Sequence, residues 1–278
     1  NTWLRLILCG LFFTEDGNLK NLNVLNEIPK FDKFKNFEFI KNISLIDYNK
    51  IFEASEYNEE AQLTLSKYWV EAQRKLNLSY SNYSFFKTHN ARLKFKNFAY
   101  TNEETTLGFI YIVRDPRDVV ISYSKWKNKN IDETIKFLMS NNIMGNQNTA
   151  NKMPEFIFNW KDHYKSWKNF VKVPSIIIRY EDLLSDLEFE INRIIDFFYI
   201  NYNIRIDNKN KKIKNIINST NFKNLQNIES EKGFVEQSEH TVFFRSGEKN
   251  QWQYKLTENQ QILIQKNFEK EMIQLKYI

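Results

Sequence analysis

Cysteine occurs once in the 278 residues, as Cys9, so no internal disulfide can staple this chain and nothing in it calls for an oxidising compartment. A cytoplasmic location is the corresponding expectation. Histidine is nearly as scarce. Its three copies, His89, His163 and His240, lack the paired spacing of metal ligands, so no metal is expected. Glycine and proline number six and four, which leaves few punctuators, and element boundaries have to be read from periodicity. Long apolar runs are missing as well. The longest, Trp3 to Phe13, contains Arg5 and falls far short of the roughly 20 residues of a membrane helix. It has neither the basic lead nor the small-residue cleavage site of a signal peptide. No internal repeat and no linker divides the chain, which reads as a single domain over residues 1–278.

What the chain does have is an ordinary globular share of hydrophobic residues, 42%, and a net charge of +6. That excess suits an anionic ligand as well as it suits a generally basic surface. Three apolar runs read as buried strands: Tyr83 to Lys87, Gly108 to Val113 and Ser175 to Arg179. Helical periodicity follows them. Asp115 and Pro116 form an N-cap and first helical residue directly after the second run. From Tyr180 to Phe198, Leu183, Leu184, Leu187, Ile191, Ile194, Ile195 and Phe198 make one stripe. The last helix opens with Thr257 and Gln260, the pair of a capping box, and presents Ile264, Phe268, Met272 and Leu275 to the core. Strands alternating with helices predict an α/β fold, three layers with a central, mostly parallel sheet flanked by helices. Residues 14–60 read as irregular, aromatic-rich loops, and 141–152 as a polar loop.

The richest segment for chemistry runs from Tyr111 to Ser122. A buried strand delivers Arg114 at its C-terminal end, a capped helix starts at once, and Ser122 follows on the second turn. At the ligand edge of an open parallel sheet, a helix N-terminus with an adjacent arginine favours a phosphate. The same residues equally suit a plain ion pair of Arg114 with Asp118.

With this segment the sequence resembles the PAPS-dependent sulfotransferases, whose donor is 3′-phosphoadenosine 5′-phosphosulfate (PAPS) and whose nucleotide product is PAP. In that family the positions of Arg114 and Ser122 hold the nucleotide 3′-phosphate. Lys87-Thr88-His89 is similar to the family's Lys-Thr-His, in which the histidine is the general base and the lysine neutralises the transferring group. Arg179 to Leu183 resembles the Tyr-Glu-Asp turn, with Tyr180 near the adenine. Phe244-Arg245-Ser246-Gly247, with Trp252 behind it, resembles the Arg-Lys-Gly element that closes over the 3′-phosphate. Thr220 and Phe222 fall where members line the adenine pocket, and Trp160, His163 and Trp167 fall in a helix that members share. Asn1-Thr2-Trp3 resembles the end of the P-loop-like phosphosulfate loop, Lys-Ser-Gly-x-Thr-Trp. The first strand and most of that loop are then expected to precede the chain as given. Four motifs in order are a strong signal where one is weak.

The resemblance implies in-line transfer of a sulfuryl group from PAPS to a hydroxyl or amine of a small-molecule or carbohydrate acceptor, with no metal and no nucleic-acid partner. His89 is the histidine placed for the base; His163, between two tryptophans, reads as structural, and His240 as part of a polar loop. Departures stand beside the matches. Ser246 replaces the lysine of Arg-Lys-Gly, and Asn90-Ala91 replace the Leu-Pro after the histidine. Gln253-x-x-x-Thr257-Glu258 does not match the family's dimer motif, so no dimer is implied. A P-loop-type nucleotide kinase would need carboxylates holding magnesium, and no convincing set stands out. A basic nucleic-acid module would cluster its Lys and Arg among exposed aromatics, whereas the motif residues here sit at strand ends.

Overall fold

The computed structural model describes residues 1–52, 58–79, 84–144, 153–237 and 241–278. The chain forms two compact units. The first comprises residues 1–28, 110–139 and 175–278, the second residues 29–109 and 140–174.

The first unit is built on the strands Phe109–Val113 and Ser175–Arg179, which pair as a parallel sheet flanked by helices. The α/β expectation holds. Against the sheet lie helices whose sequences explain their burial. Thr2–Phe12 is apolar on nearly every side and buries Leu4, Leu6, Ile7, Leu8, Cys9 and Leu11, as a helix without a polar face must. Gly10 lets it approach the helix Lys209–Ser219, because a Cβ there would lie 2.5 Å from Ile216 Cγ1.

Pro116–Lys127 starts as expected, with the Asp115 carboxylate accepting from the Arg117 N–H at 2.9 Å. The closing helix Glu258–Gln274 carries the full capping box of Thr257 and Gln260 and buries Ile264, Phe268 and Met272. The stripe from Tyr180 to Phe198 proves to be two helices, Tyr180–Ser185 and Leu187–Tyr202. Asp186 breaks it by leaving helical backbone geometry and capping the second helix through the Phe189 N–H at 2.9 Å. A periodic stripe continues across such a break because both helices bury the same side.

The second unit has an aromatic core. Trp69, on the helix Trp69–Ser79, meets Tyr100 at 5.4 Å and Phe156 at 5.3 Å between ring centroids. Part of the region expected to be loops is helical here, in Ile40–Ile43, Leu45–Phe52 and Glu59–Ser66. The expected strand Tyr83–Lys87 is a correction. Tyr83 lies outside the described residues, and of the rest only Lys87 makes a β-bridge, a parallel one to Lys30. The Lys87 N–H donates to the Pro29 carbonyl and the Phe31 N–H to the Lys87 carbonyl. The next rung would need an N–H from Pro29, which has none, so the ladder stops after one residue. Of the polar loop 141–152, residues 145–152 lie outside the described residues, as does His240.

Candidate active site

In the first unit the strand end and the helix start bring three of the expected nucleotide residues together. The Arg114 guanidinium lies over the Tyr180 ring, 4.5 Å from its centroid, and Trp3 meets the same ring edge-on at 5.8 Å. Arg114 Nη2 donates to the Glu248 carbonyl at 2.8 Å, while its buried Nε has no hydrogen-bond partner. The ion pair with Asp118 is long, at 3.9 Å. Asp118 is occupied elsewhere: its carboxylate accepts from the Asn250 N–H at 2.7 Å and the Trp252 N–H at 3.1 Å. Burial nonetheless pushes the Asp118 carboxyl upward against the nearby Arg114 charge. Asp118 therefore holds the 245–252 loop more firmly than it holds Arg114.

That loop carries the other expected phosphate residues. Burial lowers the Arg245 pKa, and the nearby Arg114 charge lowers it further. Lys125 adds to this field, its own pKa lowered by burial and then by Arg245 and Lys255. Such a concentration of positive charge favours an anion. Gln226 donates to the Arg245 carbonyl at 2.9 Å, and Gln251 donates to the Ser246 hydroxyl at 3.1 Å. Gly247 has φ +61°, and a Cβ on it would stand 2.5 Å from the Phe222 ring. Only glycine fits there.

The remaining expected residues contribute less. The Thr220 side chain is fully buried and its hydroxyl donates to the Ile216 carbonyl at 2.7 Å, which spends its donor on the helix end. Ser122 is half-buried on the Pro116 helix. Asn1 is the N-cap residue of the first helix, where its carbonyl accepts from the Arg5 N–H at 3.0 Å. The Thr2 hydroxyl donates to Glu236, whose other oxygen accepts from Arg5 at 2.6 Å. Trp252 does not face the phosphate residues but stacks on the buried Arg117, 3.6 Å from its guanidinium. Arg117 in turn forks onto Asp115 at 2.9 and 2.6 Å.

In the second unit, Lys87-Thr88-His89 is held by a buried polar network. Thr88 donates to Asp32 at 2.9 Å and accepts from the Tyr100 hydroxyl at 2.7 Å. Asn90 donates its amide to Asp32 at 2.7 Å and accepts from the Phe156 N–H at 2.7 Å. The Trp167 indole donates to the Asn90 carbonyl at 2.9 Å. The departure at Asn90 thus has a structural reason, since every polar group of this fully buried amide finds a partner. Burial and the nearby Glu155 charge push the Asp32 carboxyl well up.

His89 lies at the edge of this network, with 36% of its side chain exposed, enough to receive a proton from outside. Its Nδ1 is 3.1 Å from Glu155 Oε1, close in distance though not aligned as a hydrogen bond. Burial lowers the His89 pKa, Glu155 opposes that, and the charges of Lys87 and Lys30 add to the lowering. His163 sits beneath this imidazole, its Nε2 3.1 Å from the His89 carbonyl, and burial brings its pKa down to about 4. Among the described residues no group of three or more His, Cys, Asp or Glu is placed to hold a metal ion.

With this geometry in place, the family model of the sulfotransferase domain matches residues 2–276. The chain belongs to the sulfotransferase family. As a sulfotransferase it is an enzyme of sulfuryl transfer. Among solved structures, it is similar to a retinol dehydratase in complex with retinol and PAP, at 20% identity and a TM-score of 0.57, covering 98% of this chain and 76% of that one. It is also similar to mouse sulfotransferase SULT7A1 complexed with PAP, at 17% identity and a TM-score of 0.50, covering 73% of this chain and 69% of that one. At these identities the likeness is one of fold. No curated protein matches the sulfotransferase by sequence. Among its described residues no helix is long and apolar enough to cross a membrane.

Three polar residues at these positions were not legible in the sequence. Glu155 and Lys30 stand beside His89, and Glu236 fastens Thr2 and Arg5. None belongs to a local motif, and each comes from a segment remote in sequence from the residue it serves.

Proposed function

We propose that this sulfotransferase uses PAPS as donor and transfers the sulfuryl group to a hydroxyl or amine of a small-molecule or carbohydrate acceptor, with His89 as general base. The observation that carries the donor assignment is Arg114, held over the Tyr180 ring at 4.5 Å with its buried Nε unpartnered, its charge felt by Arg245. The Arg114 charge lowers the Arg245 pKa, a repulsion that an anion relieves, and Arg114 has a buried Nε still to satisfy. Tyr180 and Trp3 offer ring faces and edges to a nucleobase beside that charge. The 3′-phosphate therefore falls to Arg114 and Arg245, with Ser122, Ser246 and the Gly247 backbone as further contacts. Asn1, Thr2, Trp3, Tyr180 and Phe222 serve the rest of the nucleotide, and the buried Thr220 supports that side through the helix end it closes.

PAPS supplies a sulfuryl group on a good leaving phosphate. In the proposed step the acceptor oxygen or nitrogen forms a bond to sulfur as the bond from sulfur to the bridging phosphate oxygen breaks. The acceptor proton passes to His89 Nε2, since Nδ1 faces the Glu155 carboxylate. Lys87 contributes positive charge where negative charge gathers on the transferring group. The whole of residues 1–278 acts as one sulfotransferase domain in this reading, and lone, buried Cys9 supports a reducing compartment such as the cytoplasm.

Calorimetric titration with PAP, and with ATP as the comparison that lacks a 3′-phosphate, tests the donor assignment. PAP is expected to bind and ATP to bind at least tenfold more weakly. Equal affinities would remove the 3′-phosphate from the site.

A further inference from the structure

Lys30, Glu155 and His89 form an ammonium–carboxylate–imidazole chain that no local motif announces. Glu155 has only 5% of its side chain exposed. Its Oε2 accepts from Lys30 Nζ at 2.7 Å and its Oε1 lies 3.1 Å from His89 Nδ1. The backbone fixes all three. Glu155 precedes Phe156, whose N–H donates to the Asn90 side chain at 2.7 Å and whose carbonyl accepts from the Ala91 N–H at 2.8 Å. The strand end bearing the carboxylate is thereby tied to the two residues that follow His89. Lys30 is tied from the other side, through the bridge of its neighbours Pro29 and Phe31 to Lys87.

We infer that Glu155 is a positioning residue for His89, a buried carboxylate that holds the imidazole with Nδ1 protonated and Nε2 free to accept, while Lys30 keeps that carboxylate ionised and in place. This rests on the reading of His89 as the general base. The physical reason is that the histidine gains a positive charge as it takes the acceptor proton. A fixed carboxylate at Nδ1 stabilises that charge and excludes the tautomer whose proton sits on Nε2.

The charged groups facing His89 act on it in opposite directions. Glu155 raises the His89 pKa, whereas Lys30 and Lys87 lower it, and His163 meets its carbonyl from below. Asp32 lies behind, hydrogen-bonded to Thr88 and Asn90. Burial pushes the Glu155 carboxyl up, but His89 and Lys30 outweigh burial and hold it well below the ordinary carboxylate range. Removing the carboxylate charge must lower the imidazole pKa, and removing the ammonium charge must raise it. A residue that only fills space would move neither.

The test uses Glu155→Gln, which keeps size and can still accept from Lys30, and Lys30→Met. The His89 ring proton is followed by NMR against pH, assigned by its absence in His89→Asn. Its midpoint is expected to fall in Glu155→Gln and to rise in Lys30→Met. Conversion of PAPS to PAP, with the best acceptor from a panel of alcohols, phenols and amines, is expected to drop about 10- to 100-fold in kcat for Glu155→Gln, with partial recovery in Glu155→Asp. PAP affinity serves as the check that each variant is folded. If Glu155→Gln proves unfolded, the direction of the Lys30→Met shift decides. A His89 midpoint unmoved in Lys30→Met, or moved the same way in both variants, overturns the inference, as does wild-type turnover in Glu155→Gln. If instead His89→Asn itself retains turnover, the base assignment fails first, and the two failures are told apart.

Discussion

Arg114 and Tyr180 meet face to cation, the guanidinium 4.5 Å from the ring centroid. Each comes from the C-terminal end of one of two paired strands, Phe109–Val113 and Ser175–Arg179, so the contact is set by the sheet and not by a loop. Tyr180 holds the arginine in one orientation before any ligand arrives, which reduces the entropy a phosphate would have to overcome.

Arg114→Ala is expected to weaken PAP binding by about 1.5–3 kcal/mol, roughly 10- to 150-fold in Kd, because a charge-assisted phosphate contact is lost. Calorimetry measures it. An unchanged Kd would take Arg114 out of the nucleotide site.

His89→Ala is expected to lower kcat by about 100- to 10,000-fold and leave PAP affinity within a factor of two or so, since a general base acts on the acceptor and not on the nucleotide. Steady-state turnover of PAPS together with calorimetry separates the two effects. Near-normal turnover would end the assignment.

Gly247→Ala is expected to cost about 2–4 kcal/mol, combining a left-handed backbone that a Cβ disfavours with a ring that a Cβ would strike. The φ of +61° and the 2.5 Å approach to Phe222 are the observed causes. Thermal denaturation reads the loss of stability, and PAP binding should weaken with it, because the same turn carries Arg245. A variant as stable as the parent would mean the turn adapts.

His163 bears on acid stability. Its pKa in the folded protein is brought down to about 4 by burial, below the ordinary 6.5, so the folded state favours the neutral ring. The stability it contributes is complete above the unfolded value and is lost as pH falls through the folded one. Between pH 6.5 and 4 the protein should therefore lose about 3 kcal/mol from this residue, which linkage converts from the shift. Urea midpoints over that range should decline in the parent and less steeply in His163→Asn. Equal slopes would assign the acid sensitivity to other groups.

The elements around Arg114 were legible because their signals are local. Asp115-Pro116 starts a helix wherever it follows a buried strand, and Thr257 with Gln260 caps one, since both devices act over three or four residues. Strand identity was legible only where partners allowed it. Ser175–Arg179 pairs as its apolar run predicts, whereas the run ending at Lys87 stops at a single bridge because Pro29, more than fifty positions away, lacks an N–H.

By itself, then, the sequence determined the α/β order of elements, the capped helix after Val113 and the order of the motifs that carry Lys87, His89, Arg114, Tyr180 and Arg245. Tertiary structure alone decided what those residues face. Asp118, spaced to pair with Arg114, reaches it only at 3.9 Å and holds two backbone N–H groups of the 250–252 segment more closely. Trp252 stacks on Arg117, and His89 finds its carboxylate in Glu155. The physical reason is one of range. Caps and hydrophobic stripes are satisfied within a few residues, while a buried charge takes whichever partner the packed chain brings within hydrogen-bond distance.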